Sequence, residues 1–346
     1  MTSRIHHPIK NILILRPDRL GDVLLTLPTV RNIHTAFPDA KISYLCTKYT
    51  AEILRNYTLI SDLLLYDPTI KHHHLSGIYQ LSKVIADYNY DLAIHLLPRF
   101  PLALATFMAG TKYSIGSGYR WFSFLYTNRL YEHRKYNKHH EAEYNLRLAA
   151  MAGVSATPSA DSYNFFHFPE KTISKVANIT KSVFGSAPFI IIHPGSGSSS
   201  HDWPQSHFIE LIRLLNKKGD YRVGITGTES ERTLLKPFES AGIDYVNLLG
   251  QFNLEELAVL LKSAKLMVAN STGPLHLAVA MGTLVLGFYP IAPSLGPERW
   301  GPFGRPAQEH ITPESGEKVE NKTGHLIDMS SISPQRVFER IQQILK

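Results

Sequence analysis

"NILILRPDRLGDVLLTLP", residues 11–28, is an apolar run that ends on charge and then resumes with a different rhythm. Ile12, Leu13, Ile14 and Leu15 follow one another without a polar break. An uninterrupted run of this length reads as a strand buried on both faces, the kind a parallel sheet uses. From Asp22 to about Thr35 the spacing turns helical, so Gly21-Asp22 stands where a strand gives way to a helix. A strand feeding a helix is the repeating unit of an α/β fold. Asp22 then has two readings. An acid at a helix start satisfies N–H groups and the dipole. A residue beyond the end of a parallel strand also stands where such sheets bind their ligands, so Asp22 could be the residue that does the chemistry.

The same alternation continues outward from this stretch. "KISYLC" (41–46), "LLLYD" (63–67) and "YDLAIHL" (90–96) read as further strands, with helical segments between them and turns at "PDA" (38–40) and "DYNYD" (87–91). The second half repeats the style. "FIIIHPG" (189–195), "YRVGITG" (221–227), "KLMVAN" (265–270) and "LVLGFYP" (284–290) are strands. Helices are expected at 206–219, from about Glu229 to Ala241, at 254–264, from 273, and at 333–346 with Ser333 as cap. The polar stretch 168–188 reads as the connection between two doubly wound halves. The expected division is therefore residues 1–167, a connecting segment 168–188, residues 189–330, and a terminal helix 331–346. Ligands of open α/β sheets bind beyond the carboxyl ends of the strands, which makes a cleft between two such sheets the expected site.

Composition narrows the class. A chain of 346 residues suits two cores better than one. With 44% hydrophobic and 19% charged residues it reads as a folded globular protein and not a disordered one. The single cysteine, Cys46, excludes an internal disulfide and fits a reducing compartment. No apolar run approaches the ~18 residues of a membrane span, and "MTSRIHHPIK" (1–10) lacks the apolar core of a signal peptide. A cytoplasmic protein is expected, one that touches a membrane only from that side. Residues 1–165 hold 18 Lys and Arg against 12 Asp and Glu, a net of +6, whereas the rest hold 18 against 17. The excess in one half points to an anionic partner there, or to a generally basic surface.

Four stretches carry candidate chemistry. "HPGSGSSSHDWP" (193–204) follows a strand, and its glycines and serines let backbone N–H groups close on an anion; a flexible loop is the alternative. In "ANSTGPLHLA" (269–278) a strand ends at Asn270, and Ser271, Thr272 and Gly273 enter a helix. N–H groups at such a start suit a phosphate, with His276 on the first turn in reach, although a simple cap with a packed histidine reads equally well. Glu229 in "GTESER" (227–232) stands just past a strand end, where an acid can bind ribose hydroxyls or merely open a helix. "YRWFSFLYTNRLYEHRKYNKHHE" (119–141) interleaves basic and aromatic residues and suits anionic headgroups or sugar phosphates. The GxxxxGK[ST] and GxGxxG fingerprints are absent. "KHHHL" (71–75) cannot turn three adjacent histidines onto one ion, so no metal is expected. No nucleic-acid module is visible.

"RLGDVLLTLP", "HPGSGSSSHDWP" and "NSTGPLHLA" stand in an order that resembles glycosyltransferase family 9, the lipopolysaccharide heptosyltransferases, over about residues 10–345. The resemblance implies a GT-B fold, with two Rossmann-like domains facing a central cleft and the terminal helix returning to the first domain. It implies inverting, metal-independent transfer of heptose from ADP-L-glycero-D-manno-heptose to the inner core of lipopolysaccharide. No cofactor is needed beyond the nucleotide-sugar substrate. The family's proposed general base falls on Asp22, its ribose-contacting acid on Glu229, and its adenine pocket beside Gln251-Phe252. Its nucleotide half is the C-terminal domain, so Gly195, Ser196, His201, Glu229, Phe252, Ser271, Thr272, Gly273 and His276 become the expected nucleotide and diphosphate contacts. Two positions depart from the pattern. Ser271 stands where many members carry Asp against the donor sugar. His201 stands nearest to a Lys or Arg that meets the diphosphate, which would make phosphate affinity follow pH. Arg19, Arg120, Arg129 and Arg134 are the expected acceptor contacts, with a lipopolysaccharide precursor and the inner-leaflet surface as partners. A GT-B transferase of another nucleotide sugar, or a non-catalytic nucleotide- or glycan-binding protein of the same fold, are the alternatives.

Overall fold

The computed structural model describes residues 8–69, 71–72, 74–197, 200–304, 309–313 and 328–346. Ser198 and Ser199 of the glycine-serine loop, His73 of the histidine run and part of the expected 189–330 domain lie outside the described residues. The chain divides into two compact units, Met1–His167 and Phe168–Lys346.

The first unit runs β1 (Asn11–Leu15), α1 (Leu20–Leu24), α2 (Leu27–Ala36), β2 (Lys41–Cys46), α3 (Lys48–Leu54), β3 (Asp62–Leu65), α4 (Leu75–Asp87), β4 (Leu92–His95), α5 (Phe100–Met108), β5 (Tyr113–Ser117), β6 (Asn128–Leu130) and α6 (Glu141–Ala149). Its six strands lie in the order β3-β2-β1-β4-β5-β6, all parallel. Ile12 to Leu15 are wholly buried, as a central strand covered on both faces requires. The helix expected from Asp22 to Thr35 is broken into α1 and α2 at Leu25-Thr26. Pro28, in the first turn of α2, has no N–H, and its ring would clash with the Leu24 carbonyl in a continuous helix. The Thr26 hydroxyl fills the break, donating to the Val23 carbonyl at 2.6 Å and meeting the Tyr44 hydroxyl at 2.8 Å.

The second unit runs α7 (Glu170–Phe184), β7 (Phe189–His193), α8 (Gln205–Lys218), β8 (Arg222–Ile225), α9 (Lys236–Glu239), β9 (Val246–Asn247), α10 (Leu254–Ser263), β10 (Leu266–Asn270), α11 (Gly273–Met281), β11 (Leu284–Phe288), α12 (Pro297–Trp300), β12 (Glu309–Ile311) and α13 (Pro334–Ile344). Its sheet order is β12-β11-β10-β7-β8-β9, again all parallel. Counted from β7 this is the same winding as the first sheet. Each sheet therefore reverses direction once, between β1 and β4 and between β7 and β10.

Three expectations change here. Residues 168–188 are not a mere connection, because most of them form α7 in the second unit. Val176 and Phe184 bury one face of that helix, and Phe184 stacks on Phe189 at 4.3 Å. The helix expected at 229–241 is a 3₁₀ segment, Glu229–Leu235, followed by the short α9, because Pro237 interrupts an α-helical ladder. The terminal helix α13, expected to return to the first domain, buries Val337 and Ile341 in the second unit's own core with Leu211 and Leu215 of α8. Ser333 caps it as expected, accepting from the Arg336 N–H at 3.3 Å. Among the described residues no helix is long and apolar enough to cross a membrane.

Candidate active site

The first unit's reversal point is occupied by a buried array of charge. Arg16 follows β1 directly and is 2% exposed. Its guanidinium pairs with Asp22 through Nη2 and with Glu141 Oε1 through Nη1 at 3.0 Å. Nη1 also donates to the Leu96 carbonyl at 3.3 Å and to Asn145 Oδ1 at 3.4 Å. Arg134 closes the array from the other side, pairing with Glu141 and donating to Asn145 Oδ1 at 3.1 Å and the Leu96 carbonyl at 3.2 Å. Leu96 follows β4, so the array spans the ends of the two strands that flank the reversal.

Asp22 is the one carboxylate of this array in the helix that opens after β1. It lies in the first turn of α1, but it is not a cap: Arg19 holds the cap position and no side chain closes it. The Asp22 carboxylate is turned to Arg16 instead. Burial raises its pKa above the ordinary carboxylate value, Arg16 pulls it back, and the charges of Asp18 and Glu141 push it up again. Burial alone would lower the Arg16 pKa, yet Asp22, Glu141 and Asp18 together outweigh it and hold the guanidinium charged. A carboxylate that stays ion-paired while its basicity is raised suits proton abstraction. His95, the last residue of β4, is no rival base. Burial pushes it down to about 3, and its Nε2 is engaged with the Thr106 hydroxyl at 3.1 Å.

The second unit's reversal point gathers most of the expected nucleotide contacts. Asn270 ends β10 and staples the loop after β7 to it. Its Nδ2 donates to the Pro194 carbonyl at 2.7 Å and its Oδ1 accepts from the Trp203 N–H at 2.9 Å. Gly195 and Ser196 on one side, and Ser271, Thr272 and Gly273 on the other, thus flank one buried side chain. A Cβ on Gly195 would lie 2.1 Å from Glu231 Oε1, so only glycine admits that carboxylate. Glu231 in turn accepts from the Thr228 N–H at 2.8 Å. Thr272 holds the cap position of α11 in extended backbone with no capping bond from its side chain. Leu275 and His276 N–H groups already donate to the Thr272 carbonyl and Pro274 has no N–H. What the helix start offers an anion is therefore chiefly the Thr272 and Gly273 N–H groups. His276 is buried on the first turn. Ser271 is half-buried and bonded to the Tyr289 hydroxyl.

The loop's acids and histidines are electrostatically linked. Burial raises the Asp202 pKa and Glu231 adds to it, while the Ser196 hydroxyl and the neighbouring His201 draw it down. Burial lowers the His193 pKa, and its Nδ1 lies 3.0 Å from the Thr226 hydroxyl. Glu229 stands apart, after β8. It is ion-paired with Arg232 at 2.6 Å, a bond that lowers its pKa, and it leans over the Gly250 turn, where a Cβ would lie 2.6 Å from its Oε2. Phe252, half-buried, follows that turn.

The four arginines expected on the acceptor side differ in freedom. Arg19 and Arg120 are exposed. Arg129 folds back onto the Tyr126 and Phe124 carbonyls, both at 3.4 Å. Arg134 is turned inward to Glu141. Among the described residues no group of three or more His, Cys, Asp or Glu side chains is placed to hold a metal. Sequence reasoning missed Arg16, Glu141, Asn145, Glu231 and Asn270. Arg16 alone carried a signal, as an arginine directly behind a fully apolar strand.

The chain matches glycosyltransferase family 9 (heptosyltransferase) over residues 78–325. A Haemophilus influenzae relative, assigned to the glycosyltransferases without a stated sugar, is 26% identical over 90% of this chain and 92% of its own. A solved family 9 glycosyltransferase of Veillonella parvula superposes with a TM-score of 0.86 at 20% identity, covering 99% of both chains. The solved E. coli ADP-heptose LPS heptosyltransferase II superposes with a TM-score of 0.77 at 20% identity, covering 97% of this chain and 98% of that one. The fold is the GT-B type of α/β fold. Two sheets of one winding, each with its motif residues at the point of reversal, and a match across most of the sequence place the chain in glycosyltransferase family 9, the heptosyltransferase family.

Proposed function

We propose that this glycosyltransferase moves a heptose from ADP-heptose to the inner core of a lipopolysaccharide precursor, with inversion and without a metal. The observation that carries the reading is the Asp22 carboxylate at the first reversal point, basic yet held ionised by Arg16. The second unit holds the donor. Ser196, Thr272, Gly273, His276 and His201 take the diphosphate, Glu229 leaves Arg232 for the ribose, and Phe252 covers the adenine with Gly195 keeping the loop close. The first unit holds the acceptor, with Arg19 and Arg120 facing solvent. Asp22 removes the acceptor hydroxyl's proton as the oxygen attacks the anomeric carbon. The bond to the diphosphate breaks on the opposite face, and the charge gathered there is met by N–H groups and hydroxyls. The protein works at the cytoplasmic face of the inner membrane as a peripheral visitor.

Asp22→Ala should lower turnover by about 10²–10⁴-fold with ADP affinity nearly intact. Turnover and calorimetric ADP affinity on the same variant check this; near-normal turnover overturns it. A second reading, another nucleotide sugar, is favoured by Ser271, which is bound to Tyr289 where many members present an acid to the sugar. Calorimetry against ADP-, GDP- and UDP-sugars decides between the two. Retained turnover in EDTA would support the metal-free scheme, and loss restored by one added divalent ion would refute it.

A further inference from the structure

Arg134 stands among the expected acceptor contacts, yet the fold turns it onto the array around Asp22. It opens a 3₁₀ turn, Arg134–Tyr136, between β6 and α6. Its guanidinium meets three acceptors: Glu141 Oε1, Asn145 Oδ1 at 3.1 Å and the Leu96 carbonyl at 3.2 Å. Arg16 donates to the same three atoms, at 3.0, 3.4 and 3.3 Å. Each of the three would therefore keep a donor without Arg134. Satisfying buried acceptors does not by itself call for a second guanidinium here. What Arg134 adds is charge. Arg16 and Arg134 face three carboxylates, Asp18, Asp22 and Glu141. Two cations against three acids leave one negative charge in excess, and without Arg134 the excess is two.

That charge acts where Glu141 meets Arg16. The Glu141 and Arg16 side chains are 1% and 3% exposed, so water and salt screen their interaction little. Arg16 is divided between Glu141 on Nη1 and Asp22 on Nη2. A second cation on Glu141 answers part of that carboxylate's charge and leaves more of the Arg16 field to Asp22. Among the described residues the charged groups facing Asp22 are Arg16 behind β1, Asp18 in the same loop and Glu141 in α6. Tyr44 of β2 also faces it, but burial raises its pKa and keeps it neutral. The Glu141 charge pushes Asp22 towards its protonated form, so a cation that cancels it holds Asp22 ionised. A general base must be ionised to take a proton. Arg134 is also the cation of the array that reaches solvent, its side chain 27% exposed, so water can replace it in a variant.

We propose that Arg134 is the positioning residue of Asp22: by sharing Glu141 with Arg16, it keeps the Arg16 guanidinium on the Asp22 carboxylate and that carboxylate ionised. Its bearing on catalysis rests on Asp22 being the base, as in the transferase reading above. In the full-length protein, isotope labelling of the aspartate carboxyl carbons lets NMR follow Asp22 through a pH titration, with Asp22→Asn marking its signal. Arg134→Gln should move the Asp22 midpoint up by ~0.5–1 pH unit, and the acidic limb of kcat/KM with it. Arg134→Lys, which keeps the charge but not the planar fork, should leave both near the wild type. In a Glu141→Gln background Arg134→Gln should move Asp22 far less, because the carboxylate it acts through is gone. The proposal is overturned if the Asp22 signal titrates at the same pH in wild type and Arg134→Gln, or if the shift is as large without Glu141. It is equally overturned if Arg134→Lys and Arg134→Gln lower turnover alike with the limb unmoved, the mark of a purely structural role. A signal that moves while the limb stays put would count against Asp22 as the base, and the hold of Arg134 on it would stand by the NMR result.

Discussion

Asp22 is decided by its neighbours more than by its place in the chain. As a helix-start acid it would be an ordinary carboxylate. Buried beside Asp18 and Glu141 it is pushed above its usual value, with only Arg16 restraining it. If Asp22 is the base, turnover is lost as pH falls through its pKa, so the acidic limb of kcat/KM should lie above the ~3.9 of a free aspartate. Asp18→Asn and Glu141→Gln each remove a charge that raises Asp22, so each should move that limb to lower pH. Arg16→Met removes the charge that lowers it and should move the limb to higher pH. The last substitution also leaves Asp22 buried without its ion-pair partner, while Glu141 keeps Arg134; it should cost about 3–5 kcal/mol in a urea melt. Limbs that do not move, or that move together in one direction, would put the titrating group elsewhere.

At the level of elements, the strands were the readable part. Runs such as 12–15 and 190–192 are apolar on both faces and have only one home, the middle of a parallel sheet. The helices were harder wherever a proline fell inside an amphipathic pattern, as Pro28 and Pro237 did. The helix α7 was hidden because its buried stripe is thin and its other faces are polar. The motif loops were legible as anion sites, but the side chain that binds two of them together was not, because Asn270 reads as a mere strand end. Its two buried hydrogen bonds make it a test of that arrangement. Asn270→Ala leaves the Pro194 carbonyl and the Trp203 N–H without partners. It should cost about 1–3 kcal/mol of stability and weaken ADP binding through the loosened loop. Urea unfolding and calorimetry on one preparation check both, and a loss of stability with ADP affinity intact would separate the staple from the phosphate site.

For the whole molecule, charge is the property that composition exposed and folding sorted. The first 165 residues carry the net +6, yet the fold spends part of it internally: Arg16 and Arg134 face buried acids, and Arg129 faces carbonyls. The sequence showed the excess but not which cations reach outward, since that depends on contacts between residues more than a hundred positions apart, such as Arg16 and Glu141. Arg120 remains exposed, beside Trp121 at 72% and Phe124 at 62% exposure, a basic and aromatic patch of the kind that settles on anionic headgroups. A basic residue at such a surface contributes ~1 kcal/mol, and salt screens it. Arg120→Gln should therefore lower sedimentation with phosphatidylglycerol vesicles about fivefold at low salt and flatten the salt dependence. Trp121→Ala should weaken binding at every salt concentration, because its share is apolar. Arg134→Gln should instead lower stability and leave vesicle binding alone, since its charge is already answered by Glu141. If Arg134→Gln weakened vesicle binding as much as Arg120→Gln, the ion pair would be open in solution and the basic block would act as one surface.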